Sequence, residues 1–158
     1  MSVHYQREIE LLRVLGRGQS HVSFEDVLSG PGLLRVYRAL CELNGSDVLQ
    51  LTPAEVTAAA LGGHDTAAVE ALETFCAVLG SFAGDLALLY GACGGVHLAG
   101  GILPQIHDFL RRSAFAERFR NKGVMRAYLE KIPVDLIEHG QLGVIGAASW
   151  FLDGRADT

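Results

Sequence analysis

Gly91-Ala92-Cys93-Gly94-Gly95-Val96-His97-Leu98-Ala99-Gly100-Gly101-Ile102 reads as one short buried strand held between two glycine pairs. Glycine lets a backbone come close to a ligand and adopt positive φ, so a pair beyond a strand end marks a tight strand-to-helix turn. Leu103-Pro104 then opens a helix, because the first helical turn does not need the N–H that proline lacks. Free N–H groups at such a turn suit a crevice that faces a nucleotide. The same glycines serve equally as a tight packing corner, and neither Gly-Lys-Ser/Thr nor G-x-G-x-x-G accompanies them.

At 158 residues and 49% hydrophobic content, the chain fits one domain with a real core. A net charge of -5, with 20% charged residues of both signs, leaves no basic footprint for nucleic acid and no polybasic patch for a membrane. Cys41, Cys76 and Cys93 form no C-x-x-C pair. Each lies in an apolar run, where cysteine behaves as a small buried hydrophobe, and this usage points to a reducing, cytoplasmic compartment. His4, His21, His64, His97, His107 and His139 form no H-x-x-x-H or H-E-x-x-H set, so no structural metal is expected. Residues 1–8 hold no apolar signal core, and the longest apolar run is broken by Gly80, Gly84 and Asp85. The chain is therefore expected to be neither exported nor membrane-spanning.

Toward the amino terminus, Ile9, Leu11, Leu12 and Leu15 predict a short helix before Gly16-Arg17-Gly18. Ser23 with Asp26 three residues on is a short variant of the capping box. Ser29-Gly30-Pro31-Gly32 predicts a loop, bent by glycine and stiffened by proline, that either presents N–H groups or simply turns. From Leu33, the positions Leu34, Val36, Tyr37, Leu40 and Cys41 predict a helix that stops at Asn44-Gly45. Thr52-Pro53-Ala54-Glu55 is a full helix start, and that helix ends at Gly62-Gly63. The longest element spans residues 67–90, where Val69, Leu72, Cys76, Leu79, Ala83, Leu86 and Tyr90 recur at three- and four-residue steps. Phe75, Val78, Phe82 and Leu89 widen that stripe until the second half reads as covered on most sides, a central helix. Asp85 lies within this half, and a buried carboxylate there needs a partner, either a neighbouring backbone N–H or a functional group.

Toward the carboxyl terminus, the reading gives a helix over 104–112 and a mixed polar helical segment over 114–130. The latter carries Arg118, Arg120, Lys122 and Arg126, which either meet phosphate or form a solvated face. Ile132-Pro133-Val134-Asp135-Leu136-Ile137-Glu138 reads as a second strand, and residues 142–152 as a final helix with small residues on one side. Strand, crossover helices and strand make a βαβ unit with a parallel pair, so the class is α/β and helix-rich. Sheets usually hold about five or six strands, and a parallel pair must be covered on both faces. The sheet reads as incomplete, with its remainder outside these residues.

The run His21-Val22-Ser23-Phe24-Glu25-Asp26-Val27-Leu28-Ser29-Gly30-Pro31-Gly32-Leu33, the run Gly94 to Pro104, and Ile132-Pro133-Val134 with Leu142-Gly143-Val144-Ile145-Gly146-Ala147-Ala148 together resemble the C-terminal half of bacterial glucokinases, in order and spacing. The likeness covers residues 7–152. It implies part of the large lobe of an actin-like, hexokinase-type ATPase fold over the whole of 1–158. In that fold residues 91–104 form the adenosine motif, and residues 142–152 the hinge helix between lobes. Gly94, Gly95, Gly100 and Gly101 then let the backbone approach adenosine, Ser29, Gly30 and Gly32 brace the crevice, and Asp85 lies on the helix beneath. Cys93 departs from the bulkier residue the family often has there.

The same resemblance implies glucokinase activity, with ATP, Mg²⁺ and glucose bound in the complete enzyme. The family's Asp-Gly-Gly phosphate loop, its Asn-Asp catalytic base, its second phosphate loop and its Glu-Gly-Gly-His sugar motif do not occur here. No catalytic residue is therefore assigned, and the chain alone is expected to be inactive. Its expected partner is a missing N-terminal half or a second copy of itself. The other reading is a non-catalytic module for nucleotide binding or assembly.

Overall fold

The computed structural model describes residues 3–137, together with Ile145 and Ser149. Helix α1 (Val3–Leu15) buries Leu11 and Leu15 and packs on α2 (Gly30–Asn44). Between them Ser23 and Asp26 do form a reciprocal box: the Asp26 carboxylate accepts from the Ser23 N–H at 2.8 Å, and the Asp26 N–H donates to Ser23 Oγ at 3.3 Å. Helix α2 starts three residues before the expected Leu33. Ser29 is its N-cap, accepting from the Gly32 N–H at 3.0 Å, and Pro31 sits in the first turn where its missing N–H costs nothing. The stretch read as a loop is thus a cap and the first helical turn. At the other end Gly45, at φ 64, closes the helix and donates to the Cys41 and Glu42 carbonyls.

Helix α3 (Pro53–Gly62) carries the full capping box, with Thr52 accepting from the Glu55 N–H and Glu55 from the Thr52 N–H. Helix α4 (Thr66–Leu89) is the central element, capped by Asp65, whose second carboxylate oxygen accepts from the buried Tyr37 hydroxyl at 3.0 Å. Its length and apolar content are those of a membrane-crossing helix, but α2, α3 and the later helix Phe115–Arg120 pack around it, and Ala68, Ala71, Leu72 and Cys76 are fully enclosed. The cover ends early: Leu89 and Tyr90 are 75% and 78% exposed. Asp85 is exposed as well, because it lies on the side of α4 where Lys122 reaches it at 2.6 Å. Its partner is an ammonium group, and the carboxylate is not buried.

Strands β1 (Val96–Leu98) and β2 (Val134–Leu136) pair in parallel, Val96 against Val134 and Leu98 against Leu136. Both are shorter than the predicted runs, and among the described residues they are the whole sheet. The crossover runs through a tight turn (Leu103–Ile106) into α5 (His107–Arg112), α6 (Phe115–Arg120) and α7 (Arg126–Leu129). The continuous segment expected over 114–130 is interrupted after Arg120, where Asn121 takes ψ 69 and Gly123 takes φ 56, both outside the helical range. The hinge helix expected over 142–152 lies outside the described residues, apart from Ile145 and Ser149, which are helical and exposed.

Candidate functional site

The glycine segment begins where α4 ends. Gly91, at φ 58, donates to the Leu88 carbonyl at 3.2 Å and Ala92 donates to the Ala87 carbonyl at 2.9 Å, the paired closure of a Schellman motif. The Tyr128 hydroxyl of α7 donates to the Ala92 carbonyl at 3.2 Å and lies 3.5 Å from Cys93 Sγ. Gly95 then abuts Pro133, and Val96 donates to the Pro133 carbonyl at 2.9 Å to start the strand pair. Sequence reasoning did not single out Tyr128, since one tyrosine in a polar helical segment carries no signal of a contact 36 residues away.

The glycine pairs are at opposite ends of β1; Gly94, Gly100 and Gly101 are exposed, and Gly95 is half-buried against Pro133. At about 3.3 Å per residue, Gly95 and Gly100 stand about 16 Å apart. A side chain at Gly94, Gly100 or Gly101 would meet open space, so packing does not require glycine there. Gly100 does need it for conformation, with φ 150. Open α/β sheets take their ligands outside the carboxyl ends of the strands, which is the Gly100–Gly101 end. Of β1 itself only Leu98 is buried. His97 faces outward with its Nδ1 3.8 Å from Asp135 Oδ2 on β2, so the strand is not enclosed as its apolar run predicts.

Ser29, Gly30 and Gly32 have structural tasks at the start of α2. The Ser29 hydroxyl caps the helix and donates to the Glu25 carbonyl at 2.8 Å. A Cβ on Gly32 would come within 2.8 Å of the Glu25 carbonyl oxygen, and one on Gly30 would touch Pro53. Cys93 is exposed, unlike Cys41 and Cys76, because the segment after Gly91 leaves the core.

Three of the four basic side chains are committed to ion pairs, and Arg120 donates to the Ala116 carbonyl at 2.9 Å. Arg118 donates to Glu8 at 2.5 Å and to Ser81 Oγ at 2.9 Å; Lys122 holds Asp85 and the Ser81 carbonyl; Arg126 joins Glu117 and Glu130. The Arg126 guanidinium accordingly holds the Glu117 carboxyl below its ordinary range. A cleft of about 570 Å³ between α1, α4 and α6 is lined by two such pairs, Arg7–Glu70 and Arg118–Glu8, whose charges offset each other. A second cavity of about 440 Å³ lies against Leu98, Phe115 and Leu136, and neither cavity includes a glycine of the two pairs. Among the described residues no three His, Cys, Asp or Glu side chains gather in a way that would hold a metal.

A protein-family model described as Glucokinase matches residues 1–153. A glucokinase-like protein of Xylella fastidiosa is 51% identical over 149 residues, 94% of this chain and 45% of its own length. A glucokinase of Saccharophagus degradans is 47% identical over 145 residues, covering 92% of this chain and 45% of its own. The chain thus spans under half the length of these curated relatives. The crystal structure of a glucokinase from an Antarctic psychrotroph superposes with TM-score 0.83 at 40% identity, over 93% of this chain and 46% of that one. A glucokinase of Balamuthia mandrillaris solved with glucose shares the fold at TM-score 0.68 and 23% identity, over 85% of this chain and 38% of its own. The helix-rich α/β arrangement around a small parallel sheet is part of a hexokinase-type fold.

Proposed function

The chain belongs to the glucokinase family, and from that premise we propose that it is the carboxyl-terminal part of an enzyme that transfers the γ-phosphoryl group of ATP to the 6-hydroxyl of glucose. The observation that carries this reading is the pair Gly100–Gly101, exposed at the carboxyl end of β1 in a chain 51% identical to its Xylella fastidiosa relative.

Phosphoryl transfer needs a base for the sugar hydroxyl, donors for the phosphates, and spread of the developing charge. In this reading the Gly100–Gly101 backbone lets adenosine approach, while Gly94 and Gly95 lead β1 out of α4. Ser29, Gly30 and Gly32 brace the wall indirectly by fixing the start of α2. Mg²⁺, when bound, neutralises phosphate charge. Among the described residues no three His, Cys, Asp or Glu side chains gather to hold it. None of the described residues is assigned as the base, so the chain alone forms no glucose 6-phosphate. Its partner is the polypeptide corresponding to the preceding half of its relatives, which extends the two-stranded sheet. Self-association is the alternative fate of the same strand edges.

The test is a coupled assay of the purified chain with glucose and Mg-ATP, alone and joined to the preceding half of the Xylella fastidiosa relative. Activity is expected only in the joined protein. Turnover of about one per second, ordinary for a kinase, by the chain alone would overturn the assignment of the base elsewhere. A joined protein that binds ATP but transfers nothing would favour the non-catalytic module.

A further inference from the structure

We propose that Tyr128 is a positioning residue for the nucleotide-facing end of β1, acting by fixing the direction in which the chain leaves α4. The proposal rests on the nucleotide reading of Gly100–Gly101 given above.

The segment from Gly91 to Val96 must turn from the helix into the strand, and one short unit holds it at both ends. Tyr128 in α7 binds the Ala92 carbonyl at 3.2 Å, and Pro133, five residues later at the entry to β2, accepts from the Val96 N–H at 2.9 Å. Pro133 also sets the position of Gly95, where an added Cβ would lie 3.4 Å from its ring and its carbonyl oxygen. Thus α7 and β2 act as a clamp with two jaws. One jaw is backbone and belongs to the sheet. The other is a single side-chain hydroxyl.

With only three paired residues, β1 has little register of its own. Any tilt at Ala92 is carried along the strand to Gly100, about 16 Å beyond Gly95 at about 3.3 Å per residue. The Tyr128 ring itself packs on the core, so the hydroxyl can be removed without opening a cavity. Cys93 provides a direct reporter: its Sγ lies 3.5 Å from the Tyr128 oxygen and 3.3 Å from the Gly91 carbonyl, and it is exposed while the other two cysteines are buried.

The test compares Tyr128→Phe with the unaltered protein, both joined to the preceding half of the Xylella fastidiosa relative, in glucose kinetics and in labelling of Cys93 by a disulfide reagent. Loss of one hydrogen bond should raise the KM for ATP about three- to tenfold, leave the KM for glucose unchanged, and speed Cys93 labelling several-fold. Bound ATP should slow labelling in the unaltered protein. An unchanged KM for ATP, or equal rises in both KM values, would overturn the positioning role. If the unaltered protein showed no ATP-dependent change at all, the nucleotide reading itself would fail and this proposal with it. Unchanged labelling in Tyr128→Phe, in a protein that does bind ATP, would refute the clamp alone.

Discussion

Gly80 of α4 lies directly against the backbone of Phe115 at the start of α6, so that a Cβ on Gly80 would come within 3.0 Å of the Phe115 carbonyl carbon and Cα. One turn on, Gly84 stands in the same relation to Phe119. These two glycines bring the central helix and α6 together backbone to backbone, and the obstruction is main chain, which cannot rotate away. Gly80→Ala gains about 1 kcal/mol of helix propensity but forces the helices apart, at a typical overpacking cost of about 1–3 kcal/mol. A net loss of stability is expected, read as a lower urea midpoint with an unchanged slope. A midpoint equal to that of the unaltered chain would mean that displacing α6 costs no more than the helix propensity gained, about 1 kcal/mol.

Lys122 and Asp85 form an ion pair whose two sides are unequal. The lysine side chain is 16% exposed and the aspartate 58%. Asp85→Ala leaves Lys122 bound to the Ser81 carbonyl and gives up a solvated pair, so it should cost less than about 1 kcal/mol. Lys122→Ala also removes that carbonyl's donor and the stem packed beside Gly84, and should cost about 1–2 kcal/mol. The order of the two unfolding midpoints is the prediction, and a costlier Asp85→Ala would reverse the argument.

The legible parts of the chain were those decided by a few adjacent residues. Thr52 to Glu55 is a capping box because hydroxyl and carboxylate stand at the spacing that satisfies two backbone donors, and Gly45 ends α2 because it can take φ 64. The strand pair followed from its apolar runs, and the family likeness from motifs in order. What remained hidden depends on partners far along the chain. Gly80 and Gly84 read as interruptions of an apolar run, because only the fold brings Phe115 and Phe119 against them. Asp85 read as buried because periodicity does not reveal which side of a helix its neighbours leave open. Ser29 read as part of a loop because proline and glycine in a first helical turn look like a turn until the cap is seen. Tyr128 had no local signal at all.

Alkaline pH should destabilise the fold through Cys76. Burial pushes its thiol from the ordinary 9.0 up to about 12, only partly offset by a hydrogen bond with Ser113. In the unfolded chain the thiol ionises near 9, so above that pH the unfolded state holds fewer protons. The stabilising effect is complete below pH 9 and is lost as pH rises toward 12, at up to about 1.4 kcal/mol per pH unit. Buried Tyr37, also raised chiefly by burial, adds to the loss in the same direction. Thermal midpoints measured from pH 7 to 11 should fall above pH 9. Cys76→Ala should lower the midpoint at pH 7 yet flatten the alkaline limb.

The two glycines at the carboxyl end of β1 offer a way to separate strain from ligand contact. Gly100 has φ 150, a conformation that side chains rarely adopt, whereas Gly101 does not have positive φ, and a Cβ on either would meet open space. Gly100→Val should therefore cost about 1–3 kcal/mol of stability through backbone strain alone. Gly101→Val should leave the unfolding midpoint nearly unchanged. If adenosine approaches this turn, both substitutions place branched methyl groups in its path, so in the protein joined to its relative's preceding half both should weaken ATP while glucose affinity holds. Gly101→Val is the sharper of the two, because lost ATP affinity with an unchanged melting temperature has no explanation in the fold. Normal ATP affinity in Gly101→Val, or an equal rise in the Michaelis constants of ATP and glucose, would remove this turn from the nucleotide wall.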